Sequence, residues 1–383
     1  NSPSIRFPEF TGEWEKCKIE DITDAVSSGK SKNHFSNGEY NLYGSTGIIG
    51  RTDKALYDGK LVLVARVGAN AGFLQIINEP CGITDNTLIL KPKGIDAFYL
   101  YYFLQHFNLN RLIFGSGQPL ITGGMLKKVK VSLGTISEQS KIVKFLSLLD
   151  ERIATQVRLI EDLKKLRCAI IENVFCSPNH NESALRFKGN TDPLSTYRME
   201  DFCSRITRKN KDNQCSLVLT IAAQYGLVDQ ESFFNKTVAS ENLAGYYLLH
   251  KGEFAYNRSY SAGYDWGAVK RLEKYPEGVL STLYICFKID ESAVDSDYLA
   301  YYFESTKWHK GLSDIAGEGA RNHGLLNVSV NDYFNTRHRF HCMREQKIIA
   351  SMLNVISQKE NDEIALYDNY QKQKQYLLRK MFI

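Results

Sequence analysis

A chain of 383 residues with 43% hydrophobic content can build two or three cores. No apolar run approaches the ~20 residues of a membrane span, and the N-terminus lacks the charged-then-apolar signature of a signal peptide, so a cytoplasmic location is expected. The net charge of +5 permits nucleic acid as a partner without demanding it, and eight cysteines with no CxxC pair suit free thiols better than a disulfide frame.

The opening IRFPEFTGEWEKCKIEDI sets Phe7, Phe10 and Trp14 among charges. From Tyr40 to Leu90, short apolar runs alternate with glycine-rich turns, and Leu61 to Val64 and Thr87 to Leu90 read as strands. FYLYYFLQ from Phe98 predicts a buried helix, followed by a glycine loop at Gly115 to Pro119 and a short strand. Ser137 to Phe175 then predicts one long helix. Ile142, Leu146, Leu149, Ile153, Gln156, Ile160, Leu163, Arg167, Ile170 and Val174 alternate steps of four and three, the a/d spacing of a coiled coil, with no Pro or Gly to interrupt it. Roughly 39 residues at ~1.5 Å each span about 58 Å, too long for one small domain to cover.

Residues 176–193, rich in Ser, Asn and Pro, read as a linker. Beyond it the chain repeats itself. Arg6-Phe7 matches Arg186-Phe187 and Glu20-Asp21 matches Glu200-Asp201 at an offset of 180, while Glu138-Gln139 matches Glu345-Gln346, and Phe175 matches Phe382, at an offset of 207. The second half therefore carries about 27 extra residues in its globular part. The helix phe-tyr run also recurs, at Tyr298, and so does the glycine loop, at Gly317. The second long helix keeps the a/d spacing through Ile349, Leu353, Ile356, Glu360, Glu363, Tyr367, Tyr370, Lys374, Leu377 and Met381, and the two copies are expected to lie antiparallel and hold the globular halves apart.

Catalytic constellations are missing. Gly29-Lys30-Ser31 lacks the upstream glycine of a phosphate-cradling loop, Asp24 standing in its place, and Phe114 to Gly117 follows no clear strand. His338, His341 and Cys342 cluster, but a fourth metal ligand is wanting and they read as solvated side chains on a short strand before the helix. There is no GxSxG and no Asn-Pro-Pro of the kind amino-methyltransferases use. No cofactor is expected.

Glycine turns bearing polar and basic side chains bring backbone N–H groups and Arg forks to phosphates and base edges. In the first half the candidates are Ser45, Thr46, Arg51, Lys54, Arg66, Asn70 and Gln118; in the second they are Arg208, Lys209, Arg258, Tyr260, Ser261, Arg271, Arg321, Asn322 and His323. Equivalent loops in a duplicated frame would suit two readers of DNA half-sites.

On the doubled openings (Arg6 to Asp21; Arg186 to Asp201), LYGSTGIIG at Leu42, ARVGANAG at Ala65, GSGQPLIT at Gly115, GEGARNHGLLNVSV at Gly317 and the two Glu-Gln-led helices, the chain resembles the specificity subunits of type I restriction–modification systems over essentially its whole length. The resemblance implies an α/β (α+β) fold: two pseudo-symmetric mixed α/β target-recognition domains separated by two long antiparallel coiled-coil helices. It places a recognition domain at 1–136, spacer helices at 137–175 and 344–383, a linker at 176–193 and a second recognition domain at 194–343. It implies a bipartite double-stranded DNA target, a spacer set by the helices, and methyltransferase and restriction/translocase subunits that supply the catalysis. Two departures stand out: Leu194 replaces Trp14, and Met343-Arg344 precedes the second Glu-Gln. The competing readings are a DNA-modifying enzyme with an unrecognised site and a structural coiled-coil adaptor.

Overall fold

The structure, a computed structural model, describes residues 2–32, 38–113, 118–236, 242–259, 263–315, 326 and 328–383. The first half contains β1 (Glu15–Lys18), β2 (Thr23–Ser28), β3 (Tyr40–Gly44), β4 (Gly47–Thr52), β5 (Lys60–Ala65), β6 (Leu74–Asn78), β7 (Cys81–Ile83), β8 (Thr87–Pro92), α1 (Ala97–Phe107), α2 (Gly123–Lys127), β9 (Lys130–Leu133) and α3 (Ile136–Val174). The second contains β10 (Ser195–Arg198), β11 (Cys203–Arg205), β12 (Leu219–Ala222), β13 (Gly226–Asp229), α4 (Gln230–Phe234), β14 (Tyr247–His250), β15 (Phe254–Asn257), β16 (Ala268–Arg271), β17 (Glu277–Leu280), β18 (Ile285–Ile289), α5 (Ser296–Tyr302), α6 (His309–Ser313), α7 (Val330–Asn335), β19 (Arg337–Phe340) and α8 (Met343–Met381). The chain forms two units, Asn1–Arg158 with Ile364–Ile383, and Leu159–Glu363; α3 and α8 each contribute to both.

The first unit is built on an antiparallel sheet of order β2-β8-β5-β6. The β5 run KLVLVA lacks polar alternation because both its faces are covered. Val62 and Val64 join the core with Tyr99 and Phe103 of α1, while Leu61 and Leu63 pack with Tyr43, Cys81 and Ile83 of the β4-β3-β7 sheet. Helix α1 starts at Asp96, whose carboxylate accepts from the Phe98 and Tyr99 amides, and stops at Asn108, which takes a left-handed φ of 57°.

The second unit repeats this plan with the sheet β11-β18-β15-β16. Phe254, Tyr256, Ile285 and Phe287 face Tyr298 and Tyr302 of α5, and the intervening Ala255 and Cys286 face the other way, toward Leu249 and Leu280. The pairs β12-β13 and β14-β17 stand where the first unit has its three-stranded sheet.

The a/d pattern is realised within each unit. In the first, Ile142 and Leu146 of α3 share a core with Leu377, Met381 and Phe382, the Arg152 Nε donates to the Tyr370 oxygen at 2.7 Å, and Lys374 reaches Asp150 at 2.6 Å. In the second, Ile171 and Val174 share a core with Ile349 and Leu353, and Arg167 pairs with Glu360 at 3.1 Å. Numbers rise along one helix as they fall along the other, so the pairing is antiparallel. The polar seam position at Arg167 is met by Glu360 and by Glu304 of the adjoining helical segment.

The Glu-Gln markers are explained by burial. The Arg6 guanidinium forks onto the fully buried Glu138 carboxylate at 2.7 and 2.8 Å, the Trp14 Nε1 donates to it at 3.1 Å, and the Ile5 amide donates to the Lys380 carbonyl near the end of α8. Arg186 forks onto the equally buried Glu345, and the Leu185 amide donates to the Asn173 carbonyl near the end of α3. With Leu194 in place of Trp14, the third neighbour of this carboxylate is the His341 ring, 3.9 Å away.

His338 and His341 are not solvated, contrary to the sequence expectation. Strand β19 pairs with β10 and packs against α5, which turns both rings inward: His338 Nδ1 lies 3.1 Å from the Tyr302 hydroxyl and His341 Nδ1 2.7 Å from that of Tyr298. Burial pushes their pKa values down to about 3 and about 4, so both are neutral core residues. Among the described residues no cluster of metal-ligating side chains occurs.

Candidate nucleic-acid interface

In the first unit β2 and β5 end, and β8 and β6 begin, at the same end of the sheet, placing Ser28, Thr87, Ala65 and Leu74 side by side. The chain after β5 folds back tightly on itself. The Ala71 amide donates to Gly68 O, Phe73 to Asn70 O, Gly72 to Ala65 O and Ala65 to Phe73 O, all within 2.8 to 2.9 Å. Gly68 and Gly72 hold φ of 82° and 88°, which L side chains avoid, so the glycines of ARVGANAG are what allow this closure. Residues 118–121 run alongside, with Gly68 donating to Pro119 O and Ile121 to Arg66 O.

The β3–β4 hairpin tip is pinned to the same end. The Gln75 side-chain amide donates to the Gly44 and Ser45 carbonyls at 3.0 Å, and the Ser45 hydroxyl donates to Asn86 O at 3.2 Å. The fold therefore gathers Ser45, Thr46, Arg66, Asn70 and Gln118 at one end of the unit, with Thr46, Asn70 and Gln118 exposed. Arg66 is half-buried; one Nη reaches the Ser28 hydroxyl at 3.4 Å, and its Nε is buried with no partner among the described residues. Arg51 and Lys54 are not part of this group. Arg51 sits at the open end of the hairpin opposite Asn41 and donates to Gly38 O and Glu39 O, and Lys54 follows β4 as an exposed side chain.

Arg258 occupies the corresponding place in the second unit, just after β15. Its carbonyl accepts from the Leu326 amide as that of Arg66 accepts from Ile121, and its Nε too is buried without a partner among the described residues. Here, however, the two Nη groups donate to Val328 O and Leu283 O at 3.0 and 3.1 Å. Three other candidates are bound within the fold. Arg208 donates to Leu248 O and pairs with Glu253 at 2.6 Å; Lys209 donates to Gly245 O and lies 4.2 Å over the Tyr247 ring. Arg271 lies at the opposite end of its sheet, across from Phe254, and is held by Ser296, Asp297 and Glu273. Tyr260, Ser261, Arg321, Asn322 and His323 lie outside the described residues.

Sequence reasoning passed over Ser28 and Asn86, which position Arg66 and the hairpin tip, and the apolar side chains exposed at the same end, Ile48 (56%), Phe73 (48%) and Leu120 (40%). A lone apolar residue in a glycine-rich loop gives no periodic signal.

The model of the type I restriction modification DNA specificity domain matches residues 11–165. The match takes in the first globular half and most of α3. The chain is 25% identical over 135 residues to the specificity subunit of the type I restriction enzyme EcoprrI from Escherichia coli, and 28% identical over 171 residues to a putative type I specificity subunit from Mycoplasma genitalium. These stretches span 35% and 42% of this chain but only 33% and 44% of those relatives. The fold extends further than the sequence likeness. The crystal structure of a type I restriction–modification S subunit from M. genitalium superimposes with a TM-score of 0.61 at 16% identity, covering 100% of this chain and 99% of that one. A chain from a structure of type I restriction–modification complex assembly and conformational transition gives 0.53 at 12% identity, covering 97% and 98%.

Proposed function

We propose that this chain is the DNA-recognising, non-catalytic subunit of a type I restriction–modification complex, each unit reading one half of a bipartite duplex target, with the length of α3 and α8 setting the unread spacer. The observation that carries this reading is Arg66, a half-buried guanidinium at the end of the first unit's sheet beside the exposed side chains of Thr46, Asn70 and Gln118, with Arg258 at the corresponding place of the second unit's sheet. An Arg fork there matches guanine edges or phosphate oxygens. The complex would work in the cytoplasm; no described helix is long and apolar enough to cross a membrane. The test is to assemble the chain with its methyltransferase subunits and map the methylated sequence. A bipartite motif is expected, and changes confined to the loops at 44–47, 66–73 and 118–121 should alter one half of it alone. Loss of discrimination in both halves from one such change would overturn the two-reader scheme.

The helices also present equivalent apolar side chains to solvent. Leu148 of α3 is 56% exposed and Val355 of α8, its counterpart at the repeat offset, 67%; Leu159 and Leu366 repeat the relation at 41% and 37%. A duplicated apolar surface suits two copies of one partner, here the methyltransferase subunits, which would bring the restriction/translocase subunits with them. Leu148→Asp and Val355→Asp should each remove one methyltransferase copy from the complex, read by mass measurement in solution, with the unfolding temperature unchanged; full stoichiometry in the double variant would refute this docking surface.

A further inference from the structure

The turn Asn70-Ala71-Gly72-Phe73 combines two side chains that answer to the two halves of one base pair. Both are exposed, and the backbone between them is closed by the Phe73-to-Asn70 hydrogen bond of 2.9 Å and tied to the strand end through Ala65 at both Gly72 and Phe73. Little backbone ordering would accompany binding, because the glycine-dependent closure has already fixed the spacing of the two backbone positions. A carboxamide presents a donor and an acceptor together, the complement of adenine N7 and N6, and an exposed aromatic ring beside it is an apolar surface for the C5 methyl of thymine. In the major groove an A·T pair displays these features side by side; a G·C pair has no methyl there and offers adenine's pattern nowhere. Leu120, 40% exposed, runs next to this turn through its pairing with Val67 and extends the apolar side. Arg66, four residues before Asn70, supplies the positive charge that holds a phosphate backbone close.

We propose that this turn reads an A·T base pair in the half-site of the first unit, Asn70 taking the adenine edge and Phe73 the thymine methyl. The inference rests on the DNA-recognition reading above and adds to it a base pair and the two residues that specify it.

The experiment uses the assembled complex of full-length chain and methyltransferase subunits on its mapped target, with each thymine in turn replaced by deoxyuridine and each adenine by 7-deazaadenine. At one pair, loss of the methyl should weaken binding about fourfold, the worth of one buried methyl group at ~0.8 kcal/mol, and loss of adenine N7 about fivefold or more. Phe73→Ala should bind thymine and uracil alike at that pair while keeping the penalty for 7-deazaadenine; Asn70→Ala should do the reverse; and Phe73→Leu should restore part of the methyl preference. Both side chains are exposed, so the variants should match the parent in unfolding temperature. A uniform loss of affinity for all sequences in Phe73→Ala, as an unstacking wedge would give, or an unchanged thymine preference, overturns the inference while the mapped bipartite methylation leaves the recognition reading intact. A chain that confers no sequence preference on the methyltransferase overturns both.

Discussion

Arg66 and Arg258 occupy the same place in two units yet are bound differently, and the difference decides what each would do. Arg258 donates to two loop carbonyls, so Arg258→Ala strips Val328 and Leu283 of charged partners and should cost about 2 kcal/mol of stability, visible as a lower urea midpoint. Arg66 has only one long contact to Ser28, so Arg66→Ala should leave the midpoint within about 0.5 kcal/mol while weakening recognition of one half-site by about 1–3 kcal/mol. Equal destabilisation by the two substitutions would contradict this contrast. The buried histidines carry a pH dependence with a definite sign. Their folded pKa values, about 3 and about 4, lie below the unfolded value near 6.5, so the unfolded chain binds more protons and stability is lost as pH falls through 6.5. At pH 5.5 each histidine should subtract roughly 1.4 kcal/mol relative to pH 7.5. His338→Asn, though weaker at pH 7.5 for loss of packing, should show a shallower pH slope; an identical slope would assign the effect elsewhere. At this scale the sequence said least. The residue types marking Arg51, Arg208 and Arg271 as DNA contacts are the same types that bind backbone carbonyls and carboxylates, and their partners at Gly38, Glu253 and Ser296 are unrecognisable until the strands are paired.

Each unit is closed by an opening segment strapped to the start of one long helix, and the strap can be weighed. Glu138→Gln would leave the Arg6 guanidinium facing a neutral amide inside the strap and should lower the urea midpoint. Arg6→Gln added to it should recover part of that loss, since the uncompensated charge is gone; strictly additive costs in a urea double-mutant cycle would mean the pair is not coupled. Elements of this size were largely legible beforehand. A continuous apolar run in β5 announces a strand covered on both faces, and the a/d spacing with no Pro or Gly over α3 announces a seam, because both patterns follow from local geometry. The repeated Arg-Phe openings were visible as markers, but not their purpose, since Arg6 and Glu138 lie 132 residues apart. The buried role of His338 and His341 was hidden for the same reason: the hydroxyls that receive them belong to α5, some 40 residues earlier.

At the scale of the whole molecule, the proposed function makes the spacer in the DNA a property of α3 and α8 rather than of loop chemistry. Both helices run 39 residues without a break. One heptad inserted near Gln156, matched by one near Glu363, keeps the apolar seam in phase because seven residues are close to two turns. It lengthens each helix by about 10.5 Å at ~1.5 Å per residue, and since duplex DNA rises ~3.4 Å per base pair, the preferred spacer should grow by about three base pairs. The added base pairs also rotate one half-site about the DNA axis, so activity should fall even at the new optimum. Two residues inserted at the same places turn Ile160 and the residues after it out of the seam, leave Gln156 and Glu363 without their buried settings, and should abolish folding or activity. Methylation of a target series with graded spacers reads the result directly. A heptad variant that folds, stays active and still prefers the original spacer would show that these helices do not set it, whereas a shifted optimum with unchanged half-site sequences would separate measurement of distance from reading of bases within one chain.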